Sequence, residues 1–64
     1  MDIELYHYIV ELEQGVWLAP WQGDPGRTLV YESAKRYSTK HGASIALGIV
    51  RTLRPFRSAV IKEV

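Results

Sequence analysis

With 64 residues, the chain has the size of one small domain, and residues 1–64 are predicted to fold as a single unit. Hydrophobic residues make up 47% of the sequence and aromatic residues 11%, a composition that excludes a disordered segment. The absence of cysteine excludes a disulfide framework and any zinc site with cysteine ligands, and it is compatible with a reducing, cytosolic setting. The formal net charge of +1 at pH 7 is a weak overall bias.

The acidic and basic residues are separated along the chain. Most of the acidic residues precede Arg27, whereas all 8 lysine and arginine residues lie from Arg27 onward. This separation indicates either a site for an anionic partner or strands of opposite charge that neutralise one another in the fold.

The sequence carries no sign of membrane insertion or of export. No uncharged run approaches the roughly 20 residues that cross a bilayer, so no membrane span is expected. Residues 1–4 are acidic and lack the basic region of a secretory signal, so export by that route is not expected.

The first half of the chain predicts a β-hairpin. Residues 5–12 are rich in Tyr, Ile and Val and alternate in polarity, which is typical of a half-buried strand. Gln14-Gly15 predicts the tight turn, because glycine adopts the positive φ that such turns need, and residues 16–19 supply the second strand.

A loop rich in tryptophan, proline and glycine follows the hairpin at residues 17–27. Pro20 cannot donate to a β-ladder and therefore ends the second strand, and residues 23–26 predict a turn. The chain resumes with β-favouring residues at 28–31, and residues 34–37 form either a short edge strand or a loop.

One amphipathic helix is predicted after Ser38 or Thr39, either of which is a suitable N-cap. Apolar residues then recur at three- and four-residue spacings, and the helix is expected to run to Arg54, because Pro55 stops it. Gly48 is expected either to allow close contact between helix and sheet or simply to be tolerated. Residues 59–64 predict a final β-branched strand.

These elements predict an α+β fold, in which a small, mostly antiparallel sheet of three to four strands carries one amphipathic helix on one face, in the order β-β-(β)-α-β. The other face of the sheet is left to solvent or to a partner, and Ile9 and Trp17 are expected there. The predicted core consists of Tyr6, Tyr8, Val10, Leu12, Leu18, Ile45, Ala46, Ile49, Val50, Leu53 and Ile61.

The sequence offers no set of residues suited to catalysis or to cofactor binding. His7 and His41 are the only histidines, and no carboxylate lies at a metal-ligand spacing from either, so no metal site is expected. Ser38 near His41 is explained by helix capping, and Glu11 and Glu13 are ordinary solvated acids without a pocket around them. We therefore expect a protein that is not an enzyme and that uses no cofactor.

Binding to a protein partner is the function that the tryptophan-rich loop favours, because Trp, Tyr and Arg most often anchor protein interfaces. Basic residues interleaved with aromatic ones in the second half leave nucleic-acid binding as an alternative. An edge strand at residues 34–37 that pairs with its copy leaves a homo-oligomer as another. The candidate partner-binding residues are Trp17, Trp21, Arg27, Lys35, Arg36, Lys40, Arg51 and Arg54.

Four segments carry a resemblance to short uncharacterised proteins of tailed phages and prophages: residues 17–21, 23–28 and 34–39, and the helix that runs into residues 54–56. The resemblance implies a bacterial cytoplasmic setting during infection and brings no established activity, cofactor or site residues. Small phage proteins of this kind include anti-CRISPR proteins and other inhibitors of host defences, which occupy a surface of a host complex. It therefore implies a binding module that engages or inhibits a host macromolecular complex.

Overall fold

The computed structural model describes residues 7–23, 25–53 and 56–64. Within these residues the strands pair in one antiparallel sheet of order β3-β2-β1-β4, which confirms the predicted α+β fold. The elements are β1 (Tyr8–Glu13), β2 (Val16–Leu18), β3 (Arg27–Thr28), a 3₁₀ helix (Tyr31–Ser33), α1 (Lys40–Val50) and β4 (Val60–Glu63).

The predicted hairpin joins β1 and β2. Glu13 pairs with Val16 and Glu11 pairs with Trp17, and the register shifts between these pairs because β1 holds an extra residue there. Gly15 lies in the turn at φ 80°, the left-handed conformation that glycine adopts without a steric penalty. A single glycine therefore fixes the turn and with it the side chains that β2 presents on each face.

Helix α1 begins where the sequence predicts and ends earlier. The Thr39 hydroxyl accepts a hydrogen bond from the Gly42 amide at 3.1 Å and caps the first turn. The prediction that the helix continues to Arg54 is wrong, because α1 ends at Val50 and a turn follows. The Thr52 hydroxyl donates to the Ile49 carbonyl at 2.6 Å and competes with continued helical bonding. No helix in the described residues is long and apolar enough to cross a membrane.

The core lies between α1 and the sheet. The predicted residues Tyr8, Ala46, Leu53 and Ile61 are half-buried against it, and Tyr6 lies outside the described residues. The fully buried cluster consists of Val10, Leu12, Leu18, Ala43, Val50, Phe56 and Ala59.

Two isoleucines predicted to be in the core are exposed instead. Ile45 is 57% exposed and Ile49 is 63% exposed. The helix turns Ala43 and Val50 to the sheet, and these positions, seven residues apart, lie on one side of a helix while Ile45 and Ile49 lie on the other. Gly48 does not allow close contact with the sheet, because a Cβ built on it would meet no atom within 4 Å.

Residues 34–37 contribute one bridge and no continuous strand. Tyr37 and Tyr8 exchange backbone hydrogen bonds, and the Lys35 amide donates to the Leu18 carbonyl at 2.8 Å. The segment therefore lies along the ends of β1 and β2, with Ala34 buried. Of the edge strand predicted as one alternative for residues 34–37, only the bridge at Tyr37 is present.

Candidate functional site

The sheet face opposite α1, called the open face from here on, is defined by the strand registers. Directly paired residues share a face, so Trp17 lies in one row with Glu11 and Val60, and Ile9 lies in the next row with Lys62. The expectation that Ile9 lies on this face agrees with the register. Ile9 is nevertheless only 1% exposed, so it belongs to the interior and not to a contact surface.

An aromatic stack dominates the open face. The Trp17 and Tyr31 ring centroids are 5.4 Å apart with an interplanar angle of 81°, an edge-to-face arrangement. The Arg36 guanidinium lies 5.3 Å from the centroid of the Tyr31 ring, within cation–π range. Trp17 is held by β2 and Tyr31 by the 3₁₀ helix, so two elements far apart in sequence build this aromatic stack.

A concavity of about 220 Å³ adjoins the aromatic stack. In its wall, Lys62 Nζ lies 3.6 Å from Glu11 Oε1. Glu63 also lines the concavity, so the lining holds no excess of cations. Apolar and aromatic side chains line most of the concavity. Its lining residues are Ile9, Glu11, Trp17, Tyr31, Lys62, Glu63 and Val64.

An exposed apolar run leads into the aromatic stack. Leu29 is 76% exposed, and Val30 and Tyr31 after it are exposed too. The residues here are β-favouring, but β3 ends at Thr28, where the Thr28 hydroxyl accepts a hydrogen bond from the Val30 amide at 3.0 Å and the chain turns. Residues 29–31 therefore extend the aromatic stack with aliphatic surface.

The tryptophan-rich loop is tightly folded. The Ala19 amide donates to the Gly26 carbonyl at 2.9 Å, and a Cβ on Gly26 would lie only 1.9 Å from the Trp21 carbonyl oxygen. Trp21 is 51% exposed, whereas Trp17 is half-buried in the aromatic stack. The two tryptophans therefore have different environments, and only Trp17 belongs to the aromatic stack.

The candidate basic residues do not form one patch. Arg27 lies 5.7 Å from the centroid of the Phe56 ring, on the side of the sheet that α1 covers, whereas Arg36 lies on the open face. Lys35 lies 5.3 Å from the Tyr37 ring. Burial raises the pKa of the Tyr37 phenol above its ordinary value.

The remaining candidates belong to α1 and its C-terminal end. Lys40 is exposed in the first turn of α1, and the Arg51 side chain donates through Nε to the Ala59 carbonyl at 3.0 Å. Arg54 lies outside the described residues. The seven described candidates thus do not lie in one place, and sequence reasoning did not identify Tyr31 as a member of the aromatic stack.

The described part of the chain holds no group of three or more His, Asp or Glu side chains placed to bind a metal ion. A second concavity, of about 240 Å³, is lined by Glu13, Val16, Arg27, Thr28 and Leu29. Comparison with known protein families, curated proteins and solved structures finds no match to this chain.

Proposed function

We propose that this chain is a non-enzymatic binding module whose partner is a protein. The contact surface that we propose comprises the aromatic stack of Trp17, Tyr31 and Arg36 together with the exposed run at residues 29–31. The observation that carries the proposal is the meeting of a tryptophan, a tyrosine and an arginine with exposed aliphatic side chains at one place. Trp, Tyr and Arg are the side chains that most often supply binding energy in protein interfaces, and the exposed aliphatic side chains beside them add apolar area.

The distribution of charge favours a protein over a nucleic acid. Affinity for nucleic acid comes largely from cations that converge on phosphates. On the open face Lys62 lies beside Glu11, and Arg27 lies on the other side of the sheet from Arg36. In keeping with the resemblance to phage proteins, the partner that we propose is a bacterial host protein, and inhibition of a host complex is the outcome that we propose for binding.

The proposal is tested by affinity capture from bacterial lysate with the tagged chain, with and without nuclease, read by mass spectrometry. We expect a stoichiometric host protein that survives nuclease treatment. Leu29→Ser is expected to reduce its capture, because Leu29 is the most exposed side chain of the contact surface. Ile49→Ser is the matched control, since it removes an exposed aliphatic side chain from α1 instead.

Two results contradict the proposal. Capture that vanishes with nuclease and falls steeply between low and moderate salt points to nucleic acid, because counterion release produces that salt dependence. Equal loss of capture with Leu29→Ser and Ile49→Ser would show that the open face is not the contact surface.

A further inference from the structure

The outer edge of β4 presents backbone groups that can pair with another strand. The Val64 amide donates to the His7 carbonyl at 2.7 Å, so the Val64 amide points toward the chain that enters β1, although the His7 amide donates to the Tyr37 carbonyl. Because hydrogen-bonded pairs alternate along an antiparallel ladder, the amides of Val60 and Lys62 also point toward β1. The amides and carbonyls of Ile61 and Glu63 therefore point away from the sheet.

A second observation agrees with this assignment. Tyr8 is paired with Glu63 in the register, yet its amide and carbonyl bond to Tyr37 on the opposite side of β1. Tyr8 and Glu63 consequently form a non-hydrogen-bonded pair, which leaves the backbone of Glu63 facing outward. β4 is the last strand of the sheet in the described residues.

We propose that the partner adds an extended segment to the outer edge of β4 by β-strand addition, and that this segment is acidic. The inference rests on the proposed protein-binding function and specifies its mode. Main-chain hydrogen bonds to Ile61 and Glu63 would supply affinity. The concavity of the open face reaches β4 through Lys62, Glu63 and Val64, so the edge and the aromatic stack form one continuous surface.

The charged residues around β4 indicate that the added segment is acidic. Residues 33–62 contain every basic residue of the chain except Arg27 and no acidic residue, although β4 itself ends with Glu63. Lys62 is already paired with Glu11. Two other cations next to β4 have no carboxylate within ion-pair distance among the described residues: Arg51, which is tied to the Ala59 carbonyl on the helix side, and Arg57, which is exposed just before the strand. An acidic segment meets these cations favourably, whereas a basic one is repelled.

The same cations disfavour a second copy of this chain as the occupant. Antiparallel pairing of two β4 strands about a two-fold axis would bring Arg51 and Arg57 of both copies to one seam, four cations against the two Glu63 carboxylates. Like charges placed across an interface cost binding energy and suppress that pairing. The partner strand is therefore taken from a different, acidic protein.

Proline substitution at Glu63 tests the backbone requirement. Proline has no amide hydrogen, and the Glu63 amide points outward, so Glu63→Pro removes a donor from the edge while the ladder to β1 keeps its bonds. Glu63→Ala is the matched control, since it removes the same side-chain charge and keeps the amide. We expect Glu63→Pro to abolish capture of the host protein and Glu63→Ala to retain it, with both variants folded by circular dichroism.

A defined probe tests the chemistry without the natural partner. The probe is a short blocked peptide of alternating Glu and Val, added to the ¹⁵N-labelled chain, and a Lys and Val peptide serves as control. We expect the acidic peptide to slow amide hydrogen exchange at Ile61 and Glu63 at least several-fold and the basic peptide to leave both unchanged. Equal effects of the two peptides would overturn the proposal. It would also be overturned if neither peptide, nor a single-stranded oligonucleotide used in place of the peptide, protects these amides.

The two proposals fail separately. If Glu63→Pro still captures the host protein and Leu29→Ser does not, strand addition is wrong and the protein-binding function stands. If nuclease abolishes the capture and none of the variants changes it, the proposed protein-binding function is wrong.

Discussion

Gly26 is the residue at which the loop tolerates least change. A Cβ there would lie 1.9 Å from the Trp21 carbonyl oxygen, a backbone atom that cannot move aside by itself. We expect Gly26→Ala to destabilise the fold by about 1 to 3 kcal/mol, the usual cost of forcing atoms into a packed site. Gly48→Ala is the control, because a Cβ there meets nothing and alanine favours the helix by roughly 0.5 to 1 kcal/mol. Urea unfolding of both variants measures the difference, and equal effects would contradict the loop packing.

The two tryptophans should respond differently to replacement by alanine. Trp21 is exposed, so Trp21→Ala is expected to change the free energy of unfolding by no more than about 0.5 kcal/mol. Trp17 packs edge-to-face on Tyr31 and is half-buried, so Trp17→Ala is expected to cost about 2 kcal/mol. Thermal unfolding distinguishes them. A large loss of stability in Trp21→Ala would place that ring in the interior.

Tyr37 links stability to alkaline pH. Burial raises the pKa of its phenol, so the native state holds the proton to a higher pH than the unfolded chain does. The resulting stability is fully present below the unfolded pKa of about 10 and is lost as pH rises through the raised pKa. We expect the melting temperature above pH 10 to fall less steeply in Tyr37→Phe than in the unchanged chain. Ultraviolet absorbance of both proteins isolates the Tyr37 titration, and identical slopes would show that burial does not perturb it.

At the scale of the helix, the sequence predicts the element better than its orientation. The apolar positions from Ala43 to Leu53 cover more than one side of a helix, so periodicity alone leaves the buried side open. The structure buries the small Ala43 and exposes the larger Ile45 and Ile49, because α1 approaches the sheet with its short side chains. The sizes of the side chains on both sides of the interface decide which side of α1 is buried, and the helix sequence alone does not contain that information.

Val50 and Ile49 provide the test of that orientation. Val50→Ala removes two buried methyl groups and is expected to cost about 2 kcal/mol, whereas Ile49→Ala is expected to stay within about 0.5 kcal/mol. Denaturant unfolding at equilibrium measures both changes. A larger cost at Ile49 would mean that the opposite side of α1 faces the sheet.

The contact surface shows a similar limit of sequence reasoning. Trp17 and Arg36 are recognisable as candidates from residue type, but Tyr31 joins them only because the chain leaves β3 after Thr28 and turns. Residues 28–31 are β-favouring, but a local hydrogen bond to the Thr28 hydroxyl ends β3 at Thr28. The aromatic stack is therefore brought together by the tertiary fold, which the β-favouring composition of residues 28–31 does not reveal.

At the scale of the whole molecule, the separation of charge along the chain is partly neutralised by folding. The central strand β1 lies beside β4, and this pairing places Glu11 from the acidic half 3.6 Å from Lys62 of the basic half. The pair is exposed and contributes at most about 1 kcal/mol. Its larger consequence is that Lys62 is balanced on the open face, while Arg51 and Arg57 next to β4 have no carboxylate within ion-pair distance among the described residues.

This arrangement leads us to expect a monomer. The open edge of β4 would favour association between copies, but each copy would bring Arg51 and Arg57 to the same seam, with only Glu63 to offset them. Size-exclusion chromatography with light scattering at low ionic strength is expected to give the mass of one chain even at high concentration. Raising the salt screens the cations, since the Debye length falls from about 30 Å at 0.01 M to about 3 Å at 1 M. Any weak dimer should therefore appear only at high salt and should be abolished by Glu63→Pro. A dimer that forms at low salt and survives Glu63→Pro would show that another surface joins the copies, and it would favour the homo-oligomer over the acidic partner.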